Sequence, residues 1–142
     1  MYESPMKRRT IVLCHIILAG ILLSGVSLYL SDQGLTVSQY TVSNPKLTAP
    51  IRIVQLTDLH NSEFGEDNSK LIEKVAAREP DLILLTGDLL NQYEKRTDIV
   101  EKLIAELSHI APVYVSFGNH EIGYEKQYGT YLHAVFETAG AR

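Results

Sequence analysis

A chain of 142 residues with 45% apolar side chains can bury one core of ordinary size, which excludes general disorder. The net charge of −4, with no basic stripe through the globular part, argues against specific nucleic-acid binding. A single cysteine, Cys14, excludes an internal disulfide framework and any cysteine-rich zinc module.

The first thirty residues differ from the rest. Ile11 to Leu30 reads IVLCHIILAGILLSGVSLYL and contains no formally charged residue. About twenty residues at roughly 1.5 Å rise match the hydrocarbon thickness of a bilayer. Lys7, Arg8 and Arg9 precede this run, and Asp32 is the first charge after it. The positive-inside rule then keeps residues 1–10 in the cytoplasm and makes 11–30 a single-pass transmembrane anchor in the cell membrane. Everything after Ser31 is expected to be extracytoplasmic. A cleavable secretory signal is the closest rival, but its apolar region is normally shorter and no clear small-x-small site follows. Arg8-Arg9-Thr10-Ile11-Val12 is also a partial twin-arginine export signal.

Residues 31–50 are expected to form a linker and an edge strand, with LTVSQYTV alternating in character and NPKLTAP making a turn. Ile51–Leu56 is apolar enough for a buried strand. Ser69 to Arg78 spaces Leu71, Ile72, Val75 and Ala76 as a helix, which Glu79-Pro80 stops. Leu82–Leu85 is a second short apolar run. Asp98 to Leu107 places Ile99, Leu103, Ile104 and Leu107 on one helical face, with Asp98 and Glu101 in a capping-box pattern. Pro112 introduces a third strand, Val113–Phe117. Tyr128 to Thr138 reads as a third helix with Tyr131, Leu132, Val135 and Phe136 inward. Strands alternating with helices predict an α/β fold with parallel pairing.

Each strand is followed at once by a short polar motif: Asp58-Leu59-His60, Gly87-Asp88, and Gly118-Asn119-His120. Taken singly, an Asp here is a turn former or helix cap, a His is a hydrogen-bonded side chain, and Gly-Asn is a turn. Together they occupy equivalent strand ends, and ligands in open α/β sheets sit beyond the carboxyl ends of the strands. If extended backbone continues through Asp58 and His60, the i, i+2 spacing turns both side chains to one face. Gly87 and Gly118 allow a sharp turn and close backbone approach. Oxygen and imidazole donors without a thiolate suit Mn²⁺, Fe or Zn²⁺ in a catalytic rather than a structural setting. His109 and His133 fall on helices away from the strand ends, where surface or packing roles are expected.

TDLH, GDLLN and GNHE resemble, in order and spacing, the D-x-H, G-D and G-N-H-[ED] blocks of the calcineurin-like metallophosphoesterases, in particular the bacterial membrane-anchored branch. The resemblance covers Ile51 to Arg142. It implies the first half of a β-sandwich flanked by helices, in βαβαβα units. It also implies a hydrolase that attacks phosphate esters, of lipids or nucleotides, with a water activated by two divalent metal ions (Mn, Zn or Fe). Asp58 and His60 would hold the first metal, Asp88 would bridge, and Asn119 would bind the second. His120 would be catalytic, stabilising charge on the phosphate or protonating the leaving oxygen, and Glu121 would either orient His120 or lie on the surface. Chemically, a bridging ligand needs two lone-pair-bearing oxygens and a negative charge, which Asp88 offers, while neutral Asn119 leaves the site positive enough to attract phosphate.

The family pattern continues with a further histidine and a G-H-x-H block, and neither is present here. Residues 51–142 are therefore expected to be the amino-terminal part of a truncated domain, leaving an exposed sheet face and metal valences unfilled. The alternative function is a non-catalytic, membrane-anchored half-domain with a binding or assembly role.

Overall fold

The computed structural model describes residues 5–32 and 34–142, with side chains for 10–26 and 34–142. Its contacts divide the chain into two compact units, 1–39 and 40–142.

The first unit contains helix α1, Pro5–Asp32. Among the described residues no helix is long and apolar enough to cross a membrane. The described side chains of α1 run from Thr10 to Val26, and its large apolar ones, from Ile11 to Val26, are exposed. Lys7, Arg8 and Arg9, and the last part of the expected span, 27–30, lie outside the described side chains. The expected edge strand is not formed, because residues 34–50 carry no ladder. Val37, Tyr40 and Val42 are 47, 85 and 83% exposed, so the alternation creates no buried face to pair. The expected turn does form, with the Leu47 N–H donating to the Asn44 carbonyl at 3.0 Å.

The second unit is built on three parallel strands in sequential order, β1 (Ile53–Leu56), β2 (Leu82–Thr86) and β3 (Val113–Ser116). Ile53 sits opposite Leu82, and Leu85 opposite Val115. Helix α2 (Ser69–Ala76) connects the first pair and α3 (Asp98–Ser108) the second. Two helices follow β3: α4 (Asn119–Tyr128) and α5 (Leu132–Ala139). Parallel crossovers are right-handed, so strands laid down in one direction put their helices on one side of the sheet. Contacts of α3 with both α2 and α5 make that helical layer. Its core joins Leu71, Val75, Leu103, Ile104, Leu107, Leu132 and Phe136 to the buried strand residues Ile83, Leu85 and Val113. The opposite sheet face is open, with Ile53 52% and Tyr114 43% exposed. Past α5, Ala141 bridges in parallel to Val113, and the Arg142 N–H donates to the Val113 carbonyl at 2.9 Å.

Two readings of the local sequence need correction. The expected helix Tyr128–Thr138 is α5, which starts at Leu132, and a separate helix α4 precedes it. Tyr131 lies just before α5 and is exposed, while Leu132 and Phe136 face the core as expected. Helix α4 escaped detection because it has no apolar stripe; its buried residues are Glu121 and Tyr124. The capping pattern at α3 also differs. Thr97 is the N-cap, its hydroxyl donates to Glu101, and Asp98 instead receives both nitrogens of Arg96.

Candidate metal centre

The rim of the sheet is made from backbone that leaves the extended region abruptly. Asp58, His60 and Asn61 have φ of 56°, 48° and 62°. The i, i+2 argument for Asp58 and His60 therefore fails as stated, because the chain is left-handed at both residues. Asp and Asn are among the residues most tolerant of this region. A ladder of backbone bonds to the next loop holds the coil in place. The N–H groups of Asp58, His60 and Asn61 donate to the carbonyls of Gly87, Asp88 and Leu89 at 3.1, 2.9 and 2.9 Å.

The loop after β2 is equally constrained. Gly87 has φ +84°, and a Cβ there would come within 2.6 Å of the Gly118 nitrogen. A Cβ on Gly118 would collide with the Asp88 carboxylate. Both positions therefore need glycine, Gly87 for its dihedral and Gly118 for space, since Gly118 itself is extended at φ −97°. Asp88 is also left-handed, at φ 53°.

These turns bring the side chains together. Asp58, His60 and Asp88 each present a ligand atom, and the three atoms lie within 4.8 Å of one another. That spacing and the oxygen-plus-imidazole donor set fit a divalent cation. The Thr57 hydroxyl donates to Asp58 Oδ2 at 2.8 Å, and the His120 N–H donates to Asp88 Oδ1 at 2.9 Å. Both bonds orient a carboxylate. The His120 ring meets the His60 ring edge-on, with centroids 4.4 Å apart. Its Nδ1 accepts the Gln92 N–H at 3.2 Å. Asn119 opens α4 as an exposed residue between Gly118 and His120, both of which meet Asp88.

Glu121 has neither role expected of it. It is fully buried, and its carboxylate accepts four backbone N–H groups: Asp88 and Gly118 on Oε2 at 2.8 Å, and Leu89 and Leu90 on Oε1 at 2.8 and 3.2 Å. Gln92, which holds the His120 ring, also had no sequence signal. Glu121 did have one: it stands at the third position of α4, where a capping-box Glu reaches back to the N-cap N–H.

Outside the rim, ion pairs form among exposed side chains. A hollow of about 170 Å³ is lined by Glu63, Asp67, Asn68, Arg96, Asp98, Ile99 and Lys102, and none of the three ligand residues borders it. Its two cations are taken up at 2.8 Å, Arg96 by Asp98 and Lys102 by Asp67. The Arg96 hydrogen bond holds the Asp98 carboxyl below its ordinary value. In α4, burial raises the Tyr124 phenol above its ordinary value, and the neighbouring Tyr128 adds to the shift. His109 and His133 are exposed on their helices, as expected.

With this geometry in place, comparison with known proteins is informative. The family model described as calcineurin-like phosphoesterase matches residues 51–139. The chain belongs to this family. It is 31% identical over 103 residues to an uncharacterised metallophosphoesterase of Aquifex aeolicus, covering 70% of this chain and 40% of that protein. An uncharacterised metallophosphoesterase of Bacillus subtilis is 27% identical over 124 residues, covering 82% of this chain and 42% of its own. A third, from Campylobacter jejuni, is 33% identical over 90 residues, 60% of this chain and 23% of that one. The chain thus spans less than half the length of these relatives. No solved structure matches it. The rim of this phosphoesterase-family chain carries a candidate metal-binding group of carboxylate and imidazole donors.

Proposed function

We propose that residues 51–142 supply the amino-terminal part of a dinuclear phosphoester hydrolase. The convergence of Asp58, His60 and Asp88 within 4.8 Å carries this reading. Asp58 and His60 would hold one divalent cation, and Asp88, shared with it, would hold a second together with Asn119. When bound, such a pair of Mn, Zn or Fe ions supplies positive charge to a phosphoryl group and acidifies the attacking water.

The chain's own residues supply orientation and a hydrogen-bond donor. His120 Nδ1 is occupied by the Gln92 N–H, so the neutral ring carries its proton on Nε2. That N–H can donate a hydrogen bond to a phosphoryl oxygen or to the departing alkoxide oxygen, the proton itself coming from water. Its edge-on contact with His60 keeps the donor beside the ion site. The carboxylates of Asp58 and Asp88 are held by Thr57 and by the His120 N–H, so little reorganisation is needed on loading. The substrates are phosphate esters of lipids or nucleotides. The uncharged run 11–30, behind Lys7, Arg8 and Arg9, anchors the protein in the cell membrane with the hydrolase outside the cytoplasm.

The test is hydrolysis of bis-(p-nitrophenyl) phosphate by the complete protein. Asp88→Ala and Asn119→Ala are expected to lower kcat/KM by more than about 100-fold. Unchanged activity in either variant contradicts the two-ion scheme.

A further inference from the structure

We infer that Glu121 is a positioning residue of the metal centre: an internal carboxylate that clamps the Asp88 loop to the start of α4 and so fixes the spacing between ligands. The inference rests on the metal-binding reading above.

A carboxylate offers acceptors only, and here four donors converge on it from two segments distant in sequence. Three of them, Asp88, Leu89 and Leu90, are consecutive N–H groups of the loop after β2. The fourth, Gly118, is the residue just before Asn119 and His120. Each oxygen takes two. Oε1 binds within the Asp88 loop alone, whereas Oε2 ties Asp88 directly to Gly118.

The clamp matters because the loop is held in an unfavourable conformation. Asp88 is a non-glycine residue at φ 53°, a geometry that persists only where surrounding bonds over-determine it. The Glu121 bonds to Asp88, Leu89 and Leu90 begin at that residue. They hold the peptide that carries the bridging carboxylate, while the Gly118 bond holds the peptide leading to Asn119. Asp58 and His60 are reached only indirectly, through the Gly87 and Asp88 carbonyls. The Glu121 hydrogen bonds all go to backbone N–H groups and none to a proposed ligand side chain, so they act on an ion through the peptides of Asp88 and Gly118.

Glu121→Gln keeps the volume and replaces one acceptor oxygen by an NH₂ group facing two N–H donors. Mn²⁺ affinity of the chain, measured by electron paramagnetic resonance, is expected to fall by about 10- to 100-fold, the range for residues that orient metal ligands. A double-mutant cycle with Asp88→Asn separates positioning from general destabilisation. If Glu121 acts through Asp88, adding Glu121→Gln to Asp88→Asn lowers affinity by less than about threefold further. Amide hydrogen exchange at Asp88, Leu89, Leu90 and Gly118 is expected to quicken in the ion-free variant, while Ile83 and Leu85 stay protected. Should Glu121→Gln not fold, Glu121→Asp serves in the same cycle, since it keeps the charge but is too short to span both segments. Equal losses in the two backgrounds, or wild-type affinity in the variant, overturn the inference. A wild-type chain that binds no Mn²⁺ overturns it together with the metal reading. Mn²⁺ binding that Asp88→Asn abolishes and the Glu121 variants leave intact refutes the clamp alone.

Discussion

The sheet interior and the sheet rim are a few residues apart and follow opposite rules. In the interior, Ile83, Leu85 and Val113 are fully buried in parallel ladders of regular geometry. At the rim, Asp58, His60, Asn61 and Asp88 all adopt left-handed φ and present exposed or half-buried polar side chains. The interior gains stability from burial alone. The rim uses some of that stability to hold ligands in place, at a cost of order 1–3 kcal/mol for each strained residue. Four of the seven non-glycine residues at positive φ lie at this rim, while Asp67 and Asn68 before α2 and Glu79 before β2 lie outside it.

The sharpest way to break this contrast is to truncate each side of the sheet. Leu85→Ala is expected to cost about 2–5 kcal/mol in urea unfolding, through a cavity under α3 and α5. Ile53→Ala, on the open face, is expected to change stability by less than about 0.5 kcal/mol. Comparable losses at both positions would mean that the open face is covered in solution.

A smaller effect of opposite sign is expected at the rim. Asp58→Gly removes a side chain from a left-handed position and should raise stability by about 0.5–1 kcal/mol, while Mn²⁺ binding is lost. A destabilised variant would show that Asp58 is not strained. The smallest effect is pH-dependent and lies in α4. The folded state holds the Tyr124 phenol above its ordinary value of about 10. Its contribution is therefore fully present below that ordinary value and lost as pH rises through the folded one. Tyr124→Phe is expected to remove this alkaline loss from the pH–stability curve, and an unaltered curve would show that another group is responsible.

The three strands, α2, α3 and the parallel order were legible because apolar runs and 3.6-residue spacing register buried faces, although β1, read as a buried strand, is exposed to half-buried along its length. LTVSQYTV misled for the same reason in reverse: alternation without a covered face makes no strand. Helix α4 was missed because its inward residues are a glutamate and a tyrosine, which no hydrophobic pattern registers. At the site, Asp58, His60, Asp88 and His120 were legible as residue types at strand ends. Their geometry was not, since the i, i+2 rule assumes extended backbone and the chain turns left-handed there. The carboxylate of Glu121 could be placed only once α4 was known to begin at Asn119.

Asp58 and His60, in the loop after β1, share one cation site with Asp88, in the loop after β2. Mn²⁺ titration of the purified chain by electron paramagnetic resonance tests it most directly, with Asp58→Asn, His60→Gln and Asp88→Asn measured alongside. Saturable binding is expected, weakened by each substitution by at least about tenfold. Binding left unaffected by all three substitutions would contradict it.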